Sequence, residues 1–272
     1  MTTMPAEVAL TDLTGDQLRV RVARAQVYLI HFNQPEGATG SAPQSVLRDH
    51  LAYLYKLEAG GLLYGYGPVE ARPGDPAREL AYVMAASRDG AGRIASEEPL
   101  HRAGFRNNVV QGHTMNEGVA CYVGRAMSKR VLGQAAFDPD IGTVNLSYAE
   151  LAARARNAQL YLIALEPTDK VRSPEDTATF DAHFVWLRDN EMAARLMSCG
   201  PVEPARPLAQ GVWGGGLGVV ATSREEAEAI AAREPSGVAG YRVLSVRGWT
   251  MQYGLAAPIA EALQTLNALP VG

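Results

Sequence analysis

Cysteine is scarce: Cys121 and Cys199 are the only two in 272 residues. Two cysteines at that spacing make neither a disulfide framework nor a zinc site, and they read as small buried hydrophobes in a reducing compartment. Charge is also modest, at 20% of residues with a net of −4. No Lys/Arg stripe is interleaved with aromatics, so a nucleic-acid partner is not expected. No run of about 18 apolar residues occurs, so no membrane span is expected. Met1 to Leu10 lacks a basic stretch leading into an apolar one, so no secretory signal is expected and the cytoplasm is the expected location. The five histidines show no His-x-x-x-His or His-x-His spacing, which argues against a metal site. A phosphate loop, a Gly-x-Ser-x-Gly elbow, a dinucleotide fingerprint and a catalytic-cysteine pattern are all missing. No cofactor is expected. A hydrophobic content of 47% describes an ordinary globular chain.

What the chain does contain is the same passage twice. Residues 98–118 and 234–254 share 10 identities in 21 positions without a gap, from Glu98-Pro99 and Glu234-Pro235 to Gly118 and Gly254. Upstream the match continues at an offset of 133: His50-x-x-x-Leu54-x-x-x-Glu58 with His183-x-x-x-Leu187-x-x-x-Glu191, and Gly67-Pro68-Val69 with Gly200-Pro201-Val202. A period of this length is a domain, not a solenoid unit of roughly 20–50 residues. The expectation is a tandem duplication with units 1–135 and 136–272.

Each unit reads as β-α-β-β-α-β, the ferredoxin-like order. In the first, Gln26–Phe32 is β-branched and aromatic; Leu47, Leu51 and Leu54 mark one face of a helix over 45–57; Leu62–Tyr66 is a strand closed by Gly67-Pro68; a further strand lies near 80–85; Ser87 caps a helix to about 96; and Phe105–Gly112 is the last strand. The second unit gives strands 159–165, 196–199, 215–221 and 241–247 and helices 178–195 and 223–233. A leading helix (in the first unit carrying Leu18 and Val22) and a trailing one (about 119–132 and 256–267) flank each unit, with a linker at 133–142. A four-stranded sheet covered on one face leaves the other apolar. The two sheets are therefore expected to face each other within the chain, an α+β fold in which two ferredoxin-like βαββαβ repeats form an intramolecular pseudo-dimeric α+β barrel. The assembly is a monomer of this kind or a homodimer.

The succession of a strand, a helix with His-x-x-x-Leu, Gly-Pro, and a helix ending in Glu-Pro-x-x-x-Ala-Gly resembles the YCII-related family of the dimeric α+β-barrel superfamily. The likeness covers most of 26–113 and again 159–248. The chain departs from it in having Glu98-Pro99 and Glu234-Pro235 where the family has Asp-Pro. The resemblance implies a small-molecule substrate, often aromatic-derived or a lactone, and a functional pairing of a histidine with a carboxylate.

His50 and His183 lie on or beside the apolar faces of their helices, where a histidine is either a core residue bonded to backbone or a positioned base. With the resemblance, His50 becomes a candidate base, Glu98 its partner (with Asp49 in the same region), and His113 an acid or binding group. His31, Tyr53, Arg106, His183 and Glu234 are candidate substrate contacts; Arg106-Asn107-Asn108 suits a carboxylate, and Arg102 reads as solvated. Gly-Pro and Glu-Pro aside, Gly214-Gly215-Gly216 reads as a close approach of backbone. The expected activity is a cofactor-independent proton transfer, as an isomerase or a lyase that expels a group such as halide, on an unsaturated acid, lactone or aromatic-degradation intermediate. A non-catalytic ligand-binding or regulatory module and a cofactor-free oxygenase are the alternatives. Because His113 becomes Trp249, His31 becomes Ala164 and His101 becomes Gly237 in the second unit, the first is expected to hold the working site and the second to act as scaffold. Expressed alone, 1–135 should self-associate or precipitate, because one apolar sheet face is uncovered; a monodisperse monomer in size-exclusion chromatography would contradict the pseudo-dimer.

Overall fold

In a computed structural model, the described residues are 25–35, 40–71, 78–121, 123–124, 126–127 and 143–267. The expected first leading helix (Leu18, Val22), the linker 133–142 and half of the first trailing helix lie outside them. The elements run β1 (Ala25–Asn33), α1 (Gln44–Ala59), β2 (Leu63–Val69), β3 (Arg78–Val83), α2 (Arg88–Glu97), α3 (Pro99–Arg102) and β4 (Asn107–Met115). After α4 (Tyr148–Ala152) the same order returns as β5 (Ala158–Pro167), α5 (Thr177–Met192), β6 (Leu196–Pro201), β7 (Gly216–Val220), α6 (Arg224–Ala232), α7 (Pro235–Val238) and β8 (Arg242–Met251), closed by α8 (Ala257–Asn267).

The local reasons are visible in the residues. Ser87 and Ser223 accept from the amides of Gly90 and Glu226 and so start α2 and α6, the usual N-cap bond. Both helices end at a Glu-Pro step, since the residue before proline leaves the α region. There the chain turns at once into α3 or α7, with Pro99 or Pro235 at the first helical position, where its missing N–H costs nothing. Gly67-Pro68 does not close its strand as expected: β2 continues through it to Val69.

The sheets do not face each other as two separate layers. The eight strands form one antiparallel sheet in the order β4-β1-β3-β2-β8-β5-β7-β6. Its outer strands meet through bridges His113↔Val202 and Glu117↔Cys199, giving a nearly closed, barrel-like α+β sheet. The other junction, β2 with β8, pairs Val69 with Trp249 and Tyr66 with Tyr253. The two junctions repeat each other in detail. A Cβ on Gly67 would lie 1.8 Å from Thr250 O, and one on Gly200 1.8 Å from Thr114 O, so only glycine permits either approach. Glu203 accepts from the amide of Gly112 and pairs with Arg88; Glu70 accepts from the amide of Gly248 and pairs with Arg224.

Closing the sheet buries an aromatic stack in which Tyr82 lies on Trp249 (5.3 Å between centroids) and meets the edge of His113 at 5.6 Å. His113 Nδ1 donates to Pro201 O at 3.0 Å, and its Nε2 has no partner among the described residues. Burial pushes its pKa down to about 4, against the smaller opposite effect of the Pro201 bond. A depressed folded-state value means that the neutral ring stabilises the fold above the unfolded value of about 6.5, and that this contribution is lost as pH falls toward 4. The difference corresponds to about 3 kcal/mol. Urea unfolding of His113→Gln should therefore show a shallower loss of stability between about pH 6.5 and 4 than the parent chain. The flattening is partial, since burial also lowers His31 and His183; an unchanged pH profile would contradict the assignment.

Candidate functional site

Each half carries a histidine–glutamate pair. His50 on α1 places Nδ1 2.6 Å from Glu98 Oε1, and His183 on α5 places Nδ1 2.6 Å from Glu234 Oε1. The carboxylates are sealed from water, at 1% and 0% exposure. Their other partners come from the helix that follows the Glu-Pro step. Glu98 accepts from the amides of Leu100 and His101, and Glu234 from those of Ser236 and Gly237 and from the Ser236 hydroxyl. Burial alone would raise both carboxyls. The hydrogen bond and charge of the histidine, with the backbone amides, outweigh it: Glu98 is held below the usual range and Glu234 down to about 2. Burial holds the His183 imidazole below its ordinary value, against the pull of Glu234. Near neutral pH its Nδ1–H donates to Glu234 and its Nε2 is left as an acceptor.

Beyond the pairs the halves diverge. In the first, His50 Nε2 lies 3.1 Å from the Tyr66 hydroxyl. That hydroxyl donates to Glu79 and accepts from Arg106 Nη1 at 3.2 Å, while Arg106 Nη2 pairs with Glu79 at 2.6 Å. Burial, then the Glu79 carboxylate, push the Tyr66 phenol far above its usual pKa, so it stays protonated. The site is filled by its own side chains.

In the second half a cavity of about 160 Å³ lies beside His183, lined also by Phe180, Phe184, Leu165, Cys199, Trp213, Gly216 and Arg242. Strand register explains it. Tyr66 faces Ala81 across β2 and β3, and Cys199 faces Gly218 across β6 and β7; Pro68 faces Glu79 where Pro201 faces Gly216. Phe32 faces Glu79 on β1 where Leu165 faces Gly216 on β5. The tyrosine and glutamate of the first half are thus a cysteine and a glycine in the second. Arg242, the counterpart of Arg106, is 7% exposed and stacks over Trp213 at 4.5 Å. It donates to Gly214 O from Nε and Nη2 and to the Ser236 hydroxyl from Nη1. Among the described residues no carboxylate stands at ion-pair distance from it; the charge of Glu234 favours the guanidinium and reaches it through the Ser236 hydroxyl. The glycine run 214–216 is therefore both an acceptor for Arg242 and an open wall.

The remaining candidates lie apart from this cavity. His113 is in the β4–β6 junction and shares no partner with His50. His31 Nε2 meets Gln111 at 2.9 Å. Tyr53 donates to Ile94 O. Asp49 pairs with Arg48, and Arg102 is exposed. Asn108 does join the first pair, 3.4 Å from Glu98 Oε2. Among the described residues no group of three or more His, Cys, Asp or Glu is placed to hold a metal, and no helix is long and apolar enough to cross a membrane. Tyr66, Glu79, Cys199, Trp213 and Arg242 were not singled out from the sequence. The offsets that align the histidines also align Tyr66 with Cys199 and Arg106 with Arg242, so that signal was present.

No protein-family model matches the chain, and no curated protein matches it. Solved structures do. A heme-binding protein from Thermus thermophilus is similar at 14% identity over 91% of this chain and 97% of its own, with a TM-score of 0.48. Chlorite dismutase from Candidatus Nitrospira defluvii, in complex with imidazole, is similar at 10% identity over 92% and 98%, with a TM-score of 0.49. The 5-chloro-2-hydroxyhydroquinone dehydrochlorinase from Burkholderia phenoliruptrix is similar at 24% identity over 31% of this chain and 89% of its own, with a TM-score of 0.24.

These comparisons correct the expected activity. The structures alike over nine-tenths of the chain include a heme-binding protein and a chlorite dismutase, so the expectation of a cofactor-independent isomerase or lyase is withdrawn. At these identities and scores they assign no ligand to this chain either. The cavity at His183 does not fit a heme: it is about 160 Å³, below the roughly 300–1,000 Å³ of sites for ligands of drug size, and the Trp213 ring stands 5.4 Å from the imidazole.

Proposed function

We propose that this protein binds a small carboxylate-bearing molecule in the cavity of its second half, with Arg242 and His183 as the polar anchors and Phe180, Phe184 and Trp213 as the apolar walls. The observation that carries this reading is Arg242: a guanidinium 7% exposed, lining a cavity, with carbonyl and hydroxyl partners but no described carboxylate at ion-pair distance, Glu234 reaching it only through the Ser236 hydroxyl. A buried cation without a paired anion is unfavourable, and guanidinium presents a planar fork suited to carboxylate. His183 is held by Glu234 with Nε2 as the acceptor for a ligand hydroxyl or amine. On this reading the chain is a tandem pair of ferredoxin-like units, 1–135 and 136–272, of YCII-related type, and the reciprocal Arg88–Glu203 and Arg224–Glu70 pairs across the two junctions support the duplication. The working half is the second, not the one richer in histidine.

Thermal shift and calorimetry with a panel of small carboxylates and their neutral amides test the reading. Carboxylates should raise the melting temperature and the amides should not. Arg242→Met should weaken carboxylate binding about tenfold to a hundredfold, the worth of a hydrogen bond to a charged group, while Arg106→Met leaves it nearly unchanged. Equal binding of acids and amides, or undiminished binding by Arg242→Met, would remove the proposal.

A further inference from the structure

The two halves hold the same anchors around different contents, so one is an image of what the other takes. Around Tyr66 and Glu79 stand a histidine Nε2 at 3.1 Å and an arginine at 3.2 Å from the hydroxyl and 2.6 Å from the carboxylate. The hydroxyl also donates to the carboxylate. In the second half the histidine and arginine remain, and the places of Tyr66 and Glu79 are taken by Cys199 and Gly216, both of which line the cavity.

We propose that Tyr66 and Glu79 are a built-in occupant of the first site, and that the ligand of the second is a single-ring carboxylate with a hydroxyl on the neighbouring ring carbon, bound once per chain. This rests on the carboxylate-binding reading above and narrows it. Adjacency follows from the contact of the Tyr66 hydroxyl with the Glu79 carboxylate, a closeness of the two groups that a ring offers when they stand on neighbouring carbons. On the ligand the hydroxyl hydrogen turns to His183 Nε2 instead of to its own carboxylate. The cavity limits the ligand to a single ring: one of about 150 Å³ accommodates benzene, and this one is about 160 Å³, so the ring fills it and the two substituents must lie against Arg242 and His183 at its wall. The ring would lie among Phe180, Phe184 and Trp213, its carboxylate on Arg242 and its hydroxyl on His183 Nε2. No chemical change of the ligand is implied.

Isothermal titration at neutral pH with salicylate, benzoate and phenol distinguishes the parts. The expected result is one salicylate per chain, bound about tenfold or more tighter than benzoate, with phenol weaker still. Refilling the second site with Cys199→Tyr and Gly216→Glu together should abolish salicylate binding, with folding checked by circular dichroism and melting temperature. Emptying the first with Tyr66→Cys and Glu79→Gly together should raise the stoichiometry to two. If removing a buried tyrosine prevents folding, the refilled variant decides alone. Salicylate bound no tighter than benzoate, undiminished binding by the folded refilled variant, or a single ligand on the folded emptied variant would each overturn the occupant inference and leave the carboxylate site standing. Failure of every carboxylate on the parent chain would overturn both.

Discussion

An ionised carboxylate without access to water needs donors on every side, and Glu98 and Glu234 organise their surroundings around that need. Each stands at the seam between two helices. Proline ends the first by denying the α region to the residue before it, and the second begins with orphan amides that the carboxylate caps. The remaining lone pairs reach across to the long helix of the same half, where His50 or His183 donates. Three helices are thereby fixed to one side chain. The cost of removing the charge from water is offset only while all these donors are present, because a half-satisfied buried carboxylate is worse than none. The histidine is oriented as a consequence: with Nδ1 committed to glutamate, Nε2 points away from the helix toward the sheet, and whatever lies there defines the half.

Closure of the sheet is the second constraint. A four-stranded unit has an edge strand with unpaired backbone groups, and each unit offers its β2-type or β4-type edge to the other. The approach is so close that Gly67 and Gly200 cannot carry a side chain. The ion pairs at the two junctions add little energy where exposed, but Glu70 and Glu203 also cap the amides of Gly248 and Gly112, which pins register. Since Glu117 and Asn116 from the first half line the second-half cavity, that cavity exists only when the junction is made.

Much of this is legible in the sequence. The repeat located both histidines and both glutamates, since helix periodicity and the Glu-Pro step are local signals. The end of β2 was misread because Gly-Pro ordinarily punctuates a chain; here proline sits at a junction where the strand pairs only sparsely, and its missing N–H is tolerated. The choice of half, which the proposed function reverses, rests on a different signal. Counting ionisable groups favoured the first half, but His113 and His31 are spent on packing and on Gln111, and ionisable groups that satisfy one another leave nothing for a ligand. Tyr66 against Cys199 could have been read from the fixed offset. Glu79 against Gly216 could not, because the loops before β3 and β7 differ in length and the correspondence appears only in strand register.

The divergence of the halves has an energetic logic. An empty cavity costs about 24 cal/mol per Å³, so one of about 160 Å³ costs up to about 4 kcal/mol if water does not fill it. Against a total stability of about 5–15 kcal/mol, two such openings would consume most of the margin. Filling one with a tyrosine and a glutamate turns that deficit into contacts: the phenol packs against Phe32 at 5.6 Å, and Arg106 pairs directly with Glu79, where Arg242 has no carboxylate at that distance among the described residues. The first half then has its anchors satisfied by its own side chains. The second keeps a cation with no carboxylate at ion-pair distance among the described residues, and on the proposed reading its stability is the one that responds to what is dissolved around it.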